Sequence, residues 1–354
     1  MLHLDERIVG HRVWRLCPEG ERLMFVPDRI RKSVCFLAYD TAEGRKLAGT
    51  AFFVHVPLEG ASGRGALYLV TAKRVLKGAE TKAINTLIYA RVNDRNGSYD
   101  WIETDFRGWF EHDDDPFVDV AVLPVPAKFM PFDILPMPFG AFLTREDFKK
   151  EGIGLGDEVI ISGLFVKHHG RQRNVPIIRV GNIAAMPEEK IHTMMWGNEV
   201  DIDAYLIEAR SIGGLSGSPV LSNAGQLRVI DGKVKARIRP KLGLIGLIHG
   251  HWNEEFVVDE GFAAHGADVE TFNMGIAVVV PSSSIAEVIN CAELVERRRA
   301  LEQRIATSNA PTPDAVTSET VDPTDSDESM TKADFERVLG KVSRRVAGPD
   351  EGTS

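Results

Sequence analysis

The sequence predicts an all-β body, closed by a helix and followed by an acidic tail, and three observations carry that expectation. From Ser33 onward, short runs rich in β-branched and aromatic residues are separated by glycine or polar turns, the texture of a barrel or sandwich. These runs fall into two sets, parted by the stretch from Pro126 to Gly152. Behind Pro281-Ser282-Ser283-Ser284, a helix start signal, the apolar residues Ile285, Val288, Ile289, Ala292 and Val295 recur at helical spacing.

In chain order, residues 1 to 32 alternate charge and bulk without a clear period and read as a leader that packs onto the body. The first set of strands is Ser33 to Tyr39, Gly49 to Val56, Ala66 to Ala72, Ile84 to Val92 and Val118 to Val125, with Asn96-Gly97 as a turn signal. The second set is Asp157 to Ser162, Ile177 to Ala185, Tyr205 to Ala209, Pro219 to Ser222, Arg228 to Ile230, Leu242 to His249 and Gly275 to Val280, with Asp231-Gly232 as a hairpin turn. One domain over 33–306 is therefore expected, its closing helix at 284–306. Residues 307–330 are rich in Pro, Thr, Ser and acid and offer too little apolar surface to offset the entropy of ordering, so they read as a disordered linker. After it, Thr331-Lys332-Ala333-Asp334 resembles a capping box, and Phe335, Val338, Leu339 and Val342 form one stripe of a short amphipathic helix over 331–346.

Composition narrows the function classes. The chain has 354 residues, 44% of them hydrophobic, enough to bury a sizeable core. Of the net charge of −9, residues 307–330 contribute −6 through six acids and no Lys or Arg, which leaves the rest at −3. A nearly neutral body gives no basic stripe for DNA or RNA, so no nucleic-acid partner is expected. No apolar run reaches membrane-spanning length, the start of the chain is too charged for a secretory core, and three cysteines cannot all pair. A cytoplasmic protein without membrane association is the expectation. His249 and His251 could share one strand face, but no third ligand is evident, and His168-His169 and the His112 to Asp115 run sit in loop-like contexts. Neither a metal nor a cofactor is expected.

Three segments carry the chemistry. Gly214-Leu215-Ser216-Gly217-Ser218-Pro219 places a serine in a tight glycine-flanked turn; Val118-Asp119-Val120-Ala121-Val122-Leu123 places an aspartate at the head of a strand; Tyr68-Leu69-Val70-Thr71-Ala72-Lys73-Arg74-Val75-Leu76 is a strand leading to a turn. In this order they resemble the base, aspartate and serine segments of the trypsin-like serine peptidases, in a form similar to bacterial members without signal peptide or disulfides. The match extends over roughly residues 33–291, with further support from Gly49 to Val54, Gly154 to Val159 and Gly243 to Ile248.

The resemblance implies two antiparallel six-stranded Greek-key barrels, about 33–145 and about 150–281, meeting where Asp119 and Ser216 converge. It also implies an oxyanion hole from the N–H groups of Gly214 and Ser216. Arg74 stands where the family carries its general-base histidine. A guanidinium stays protonated and has no lone pair to take the serine proton, and loss of the histidine from such a triad costs on the order of 10⁶ in turnover. Arg74 is instead expected to pair with Asp119. The reading that follows is a pseudoprotease that binds a peptide or protein ligand, with an electropositive pocket suited to carboxylates. Arg210, near the base of the implied specificity pocket, would favour an acidic side chain, and His249 belongs to the pocket wall. Two alternatives stand beside it: an active endopeptidase whose base is His249 or comes from another chain, and a scaffold acting through a docking partner for the 331–346 helix.

Overall fold

Two curled antiparallel sheets form the body in a computed structural model that describes residues 26–60, 64–125, 132–209, 214–225, 227–230, 232–236, 242–255, 271–308 and 345–346. The first sheet comprises β1 (Val34–Thr41), β2 (Gly44–Pro57), β3 (Gly65–Thr71), β4 (Leu87–Asn93), β5 (Tyr99–Asp105) and β6 (Ala121–Val125). Along it the order is β5-β4-β1-β2-β3-β6, and the two-residue β7 (Met137–Pro138) runs parallel to β2. Beyond β5, Phe110 exchanges two backbone hydrogen bonds with Val122 of β6, at 2.7 and 2.8 Å, which brings the two ends of the sheet together at one bridge.

The second sheet closes completely. β8 (Glu158–Gly163), β9 (Ile177–Ala185), β12 (Tyr205–Glu208), β13 (Pro219–Asn223), β16 (Leu242–Glu255) and β17 (Thr271–Pro281) form a barrel in the order β12-β17-β16-β13-β8-β9. Two hairpins project from it: β10 (Ile191–Met195) with β11 (Asn198–Ile202), and β14 (Leu227–Ile230) with β15 (Lys233–Ala236).

The strands formed where the apolar runs are densest. β1 and the second half of β2 are buried along nearly their whole length, with Phe36, Phe52 and Phe53 fully covered. A strand covered on both faces reads as a continuous apolar run, which is why these were legible without alternation. Leu244, Leu247 and Ile160 of the second sheet join the same apolar cluster as Leu37, Phe52 and Leu69 of the first, so one core runs across the junction. A second cluster, including Ile161, Ile207, Val220 and Val279, fills the closed barrel.

Several expectations change. The single closing helix over 284–306 is two helices, α4 (Ser282–Ile289) and α5 (Ala292–Ser308), broken at Asn290 and Cys291. The break is braced by Arg298, whose guanidinium donates to the Ile289 carbonyl at 2.7 Å and to Asn290 Oδ1 at 2.8 Å. Pro281 occupies the N-cap of α4 without a side-chain cap, and Ser282 donates its hydroxyl to the Leu143 carbonyl instead. Strands β5, β7, β10, β11 and β15 were not expected, and neither were two helices within the body. One is α2 (Lys73–Glu80), whose Val75, Leu76 and Ala79 are buried; the other is α3 (Arg145–Glu151), which opens with a Thr144/Asp147 capping box. The short α1 (Asp28–Lys32) precedes β1, while residues 1–25 of the expected leader lie outside the described residues. So do residues 309–344, with most of the expected linker and tail helix; Arg345–Val346 form β18, antiparallel to β5 at Trp101 and Ile102. Among the described residues no helix is long and apolar enough to cross a membrane.

A charged cluster pins the start of β2 to β1. Arg45 donates to both Asp40 oxygens, at 2.7 and 3.0 Å, and its guanidinium stacks over Tyr89 and Trp101. The Arg45 hydrogen bonds hold the Asp40 carboxyl below the usual carboxylate range. Stability from this pair is therefore present above pH ~4, the unfolded carboxyl value, and is lost as pH falls towards and through the folded one. Urea midpoints measured from pH 6 down to about pH 2.5 should fall less steeply in Asp40→Asn than in the unaltered chain; parallel curves would remove Asp40 from the acid response.

Candidate functional site

Asp119 is the buried centre of the site, with 1% of its surface exposed. It sits in the segment leading into β6, facing the start of α2 and the far part of β16. Its Oδ1 accepts the Arg74 backbone N–H at 2.7 Å, and its Oδ2 lies 2.5 Å from His249 Nδ1. An ionised carboxylate can only accept, so the histidine proton of this bond sits on Nδ1. His249, at 6% exposure, is nearly as buried as its partner.

The expected Arg74–Asp119 pairing is made mainly through the Arg74 backbone. The Arg74 guanidinium touches the aspartate only marginally, with Nε 4.0 Å from Oδ2, and its Nη1 donates to the His249 carbonyl at 3.1 Å. The side chain that hydrogen-bonds Asp119 is His249, which the resemblance placed on the pocket wall. Gly250 leaves room for the guanidinium: a Cβ at this position would meet Arg74 Nη1, which would then have to shift. The strand bearing His249 thus supports Arg74 at two successive residues.

Ser216 lies at the junction, in a turn whose backbone needs its glycines. Gly214 has φ +102° and Gly217 φ +83°, and a Cβ on Gly217 would strike the Thr50 carbonyl and the Thr71 hydroxyl. Thr50, fully buried on β2, holds this turn to the first sheet. Its N–H donates to the Ser216 carbonyl at 3.0 Å, and its hydroxyl donates to the Gly214 carbonyl at 2.8 Å while accepting the Leu164 N–H at 2.9 Å. From the other side, Gly217 N–H donates to the Ile248 carbonyl at 2.8 Å. The N–H groups of Gly214 and Ser216 have no acceptor among the described residues, and neither does the Ser216 hydroxyl have a partner there. The part Thr50 plays in holding this turn was not legible in the sequence, because Leu164, Gly214 and Ser216 lie more than a hundred residues away from it.

Ser216 and Arg74 line one cavity of about 260 Å³, together with Tyr39, Val75 and Lys82. Asp119 and His249 line a different one. His249 therefore makes the bond to aspartate that an oriented base would make, yet it makes no hydrogen bond to Ser216. Arg210 lies outside the described residues. His112, read from the sequence as part of a polar loop, accepts the N–H groups of Asp114 and Asp115 at Nδ1 and sits 3.2 Å from Glu287 through Nε2, linking the loop before Asp119 to α4. Lys73, next to Arg74, is buried and ion-paired to Glu111 at 2.5 Å, and it lies beneath Trp196 at the tip of the β10–β11 hairpin. Among the described residues no group of three or more His, Cys, Asp or Glu side chains could hold a metal ion.

Comparison with models of known protein families finds no match to this chain, and comparison with characterised proteins finds none either.

The two neighbours of Asp119 should differ sharply when removed. His249→Ala leaves a buried carboxylate short of its side-chain partner and should cost about 3–5 kcal/mol. Arg74→Ala keeps the backbone donor and removes a partly exposed guanidinium, so it should cost under about 1 kcal/mol. Urea denaturation of both variants checks this; an Arg74→Ala loss equal to that of His249→Ala would make the guanidinium the true partner of Asp119.

Proposed function

We propose that this protein is a trypsin-like serine peptidase homologue that binds peptide or acidic ligands in its cleft without cleaving them. The observation that carries the reading is the occupation of Asp119: one oxygen is held by the Arg74 backbone and the other by His249, which lines a different cavity from Ser216 and makes no hydrogen bond to it. No base then stands beside the serine hydroxyl, and a serine without a base is a weak nucleophile. The strand pairing supports the two Greek-key barrels that this family has. In the closed barrel the successive strands pair first-second-third-sixth-fifth-fourth, and the first sheet follows the same order once the Phe110–Val122 bridge is counted between β5 and β6. The ligand preference follows from Arg74 and Lys82 in the same cavity as Ser216 and from the free N–H groups of the turn, which together suit a carboxylate.

A second reading is favoured by one contact. His249 is oriented by a carboxylate, as a general base requires, so an active enzyme would use it after moving towards Ser216.

Serine-directed phosphonate labelling separates the two. The unaltered chain should not label at Ser216. Arg74→His alone should gain little, because His249 already holds the aspartate oxygen that a new histidine would need. The double variant Arg74→His with His249→Ser frees that oxygen and should label at least about tenfold faster than either single change. Ready labelling of the unaltered chain, abolished in His249→Ala, would replace the binding reading with the active one.

A further inference from the structure

The cavity lined by Asp119 and His249 is the larger of the two, about 680 Å³, and shares no lining residue with the one that holds Ser216. That size is in the range of organic ligand sites. Its walls include Phe117, Phe139 and Phe142, the last two with ring centroids 4.8 Å apart. His249 is more than nine-tenths buried, and its Nδ1 is committed to Asp119. Its Nε2 has no hydrogen-bond partner among the described residues. In the neutral imidazole that atom is a bare acceptor, so the histidine asks for a donor from whatever fills the cavity.

The charge around the cavity selects the kind of donor. Besides Asp119, four carboxylates line it, Asp115, Asp201, Asp203 and Glu287, against the fixed cations Arg145 and Lys190. Asp203 has no ion-pair or hydrogen-bond partner among the described residues. An excess of acceptors and negative charge over aromatic walls matches a cation on an apolar body and opposes a carboxylate.

We propose that this cavity is a binding site for a primary ammonium carried on an aromatic body, with His249 Nε2 as its buried acceptor and the rim carboxylates as its counter-charge. The ammonium brings three donors, one for the imidazole and the rest for Asp203 and its neighbours, while the ring packs among the phenylalanines. The site is separate from the Ser216 cleft and does not depend on whether that serine reacts.

The test uses phenethylamine and, as its matched anion, 3-phenylpropanoate, titrated at about pH 8 into the full chain labelled with ¹⁵N at histidine. At that pH an ordinary imidazole is neutral and an alkylamine is protonated. Phenethylamine should bind saturably at one site and shift His249 Nε2, while 3-phenylpropanoate should not. Asp203→Asn with Asp115→Asn should weaken the amine several-fold, and Ala286→Trp, which fills the cavity from α4, should abolish the shift while leaving the remaining histidine signals in place. Equal or tighter binding of the propanoate would overturn the proposal. So would the absence of any saturable His249 shift at millimolar amine, or a shift that persists in Ala286→Trp.

Discussion

A carboxylate removed from water has to be met by donors, and the arrangement around Asp119 is the solution on which the junction of the two sheets depends. One donor is the backbone N–H at the start of α2, in the first sheet's half of the molecule; the other is the His249 imidazole from β16, in the closed barrel. The aspartate therefore fixes the position of a helix and of a strand from the other half at once. Because the donor from residue 74 is backbone, this hydrogen bond does not depend on the side chain there. That independence is what lets an arginine stand there, resting on Gly250 and the His249 carbonyl.

The serine turn is held by a different set of interactions. Thr50 reaches it from β2 through both its N–H and its hydroxyl, and Gly217 is pressed so closely against Thr50 and Thr71 that no side chain would fit. The turn is thus preorganised by packing whether or not a base attends Ser216. Preorganised N–H groups are useful for stabilising an oxyanion in a reaction, and equally for holding a carboxylate that does not react. The structural cost of keeping the turn is the same in both cases, so its presence does not by itself decide between them.

The consequence is a junction with two faces of opposite character. Arg74 and Lys82 stand beside Ser216, whereas carboxylates outnumber fixed cations around His249. The buried Asp119–His249 pair lines the larger cavity and not the one that holds Ser216.

Much of the fold was legible in the residues. Densely apolar runs such as Val34 to Tyr39 and Ala51 to Val56 announce strands because both of their faces are covered, and Asn96-Gly97 marks the turn between β4 and β5 through a glycine at φ +89°. The β10–β11 hairpin escaped because its strands are short and its covered face, which alternates with exposed residues, is for the most part only half-buried, so no dense apolar run marks it. The break between α4 and α5 escaped because it is braced by Arg298, a side chain eight and nine residues ahead of it. At the site, local chemistry identified the serine turn, the buried aspartate and an arginine that cannot serve as a base, since glycine conformations and the absence of a lone pair are properties of the residues themselves. Which groups donate hydrogen bonds to Asp119 was not a local property. Arg74 and His249 are 45 and 130 residues away from it, and only the tertiary structure, by turning a backbone N–H and an imidazole rather than a guanidinium towards the carboxylate, decided between them.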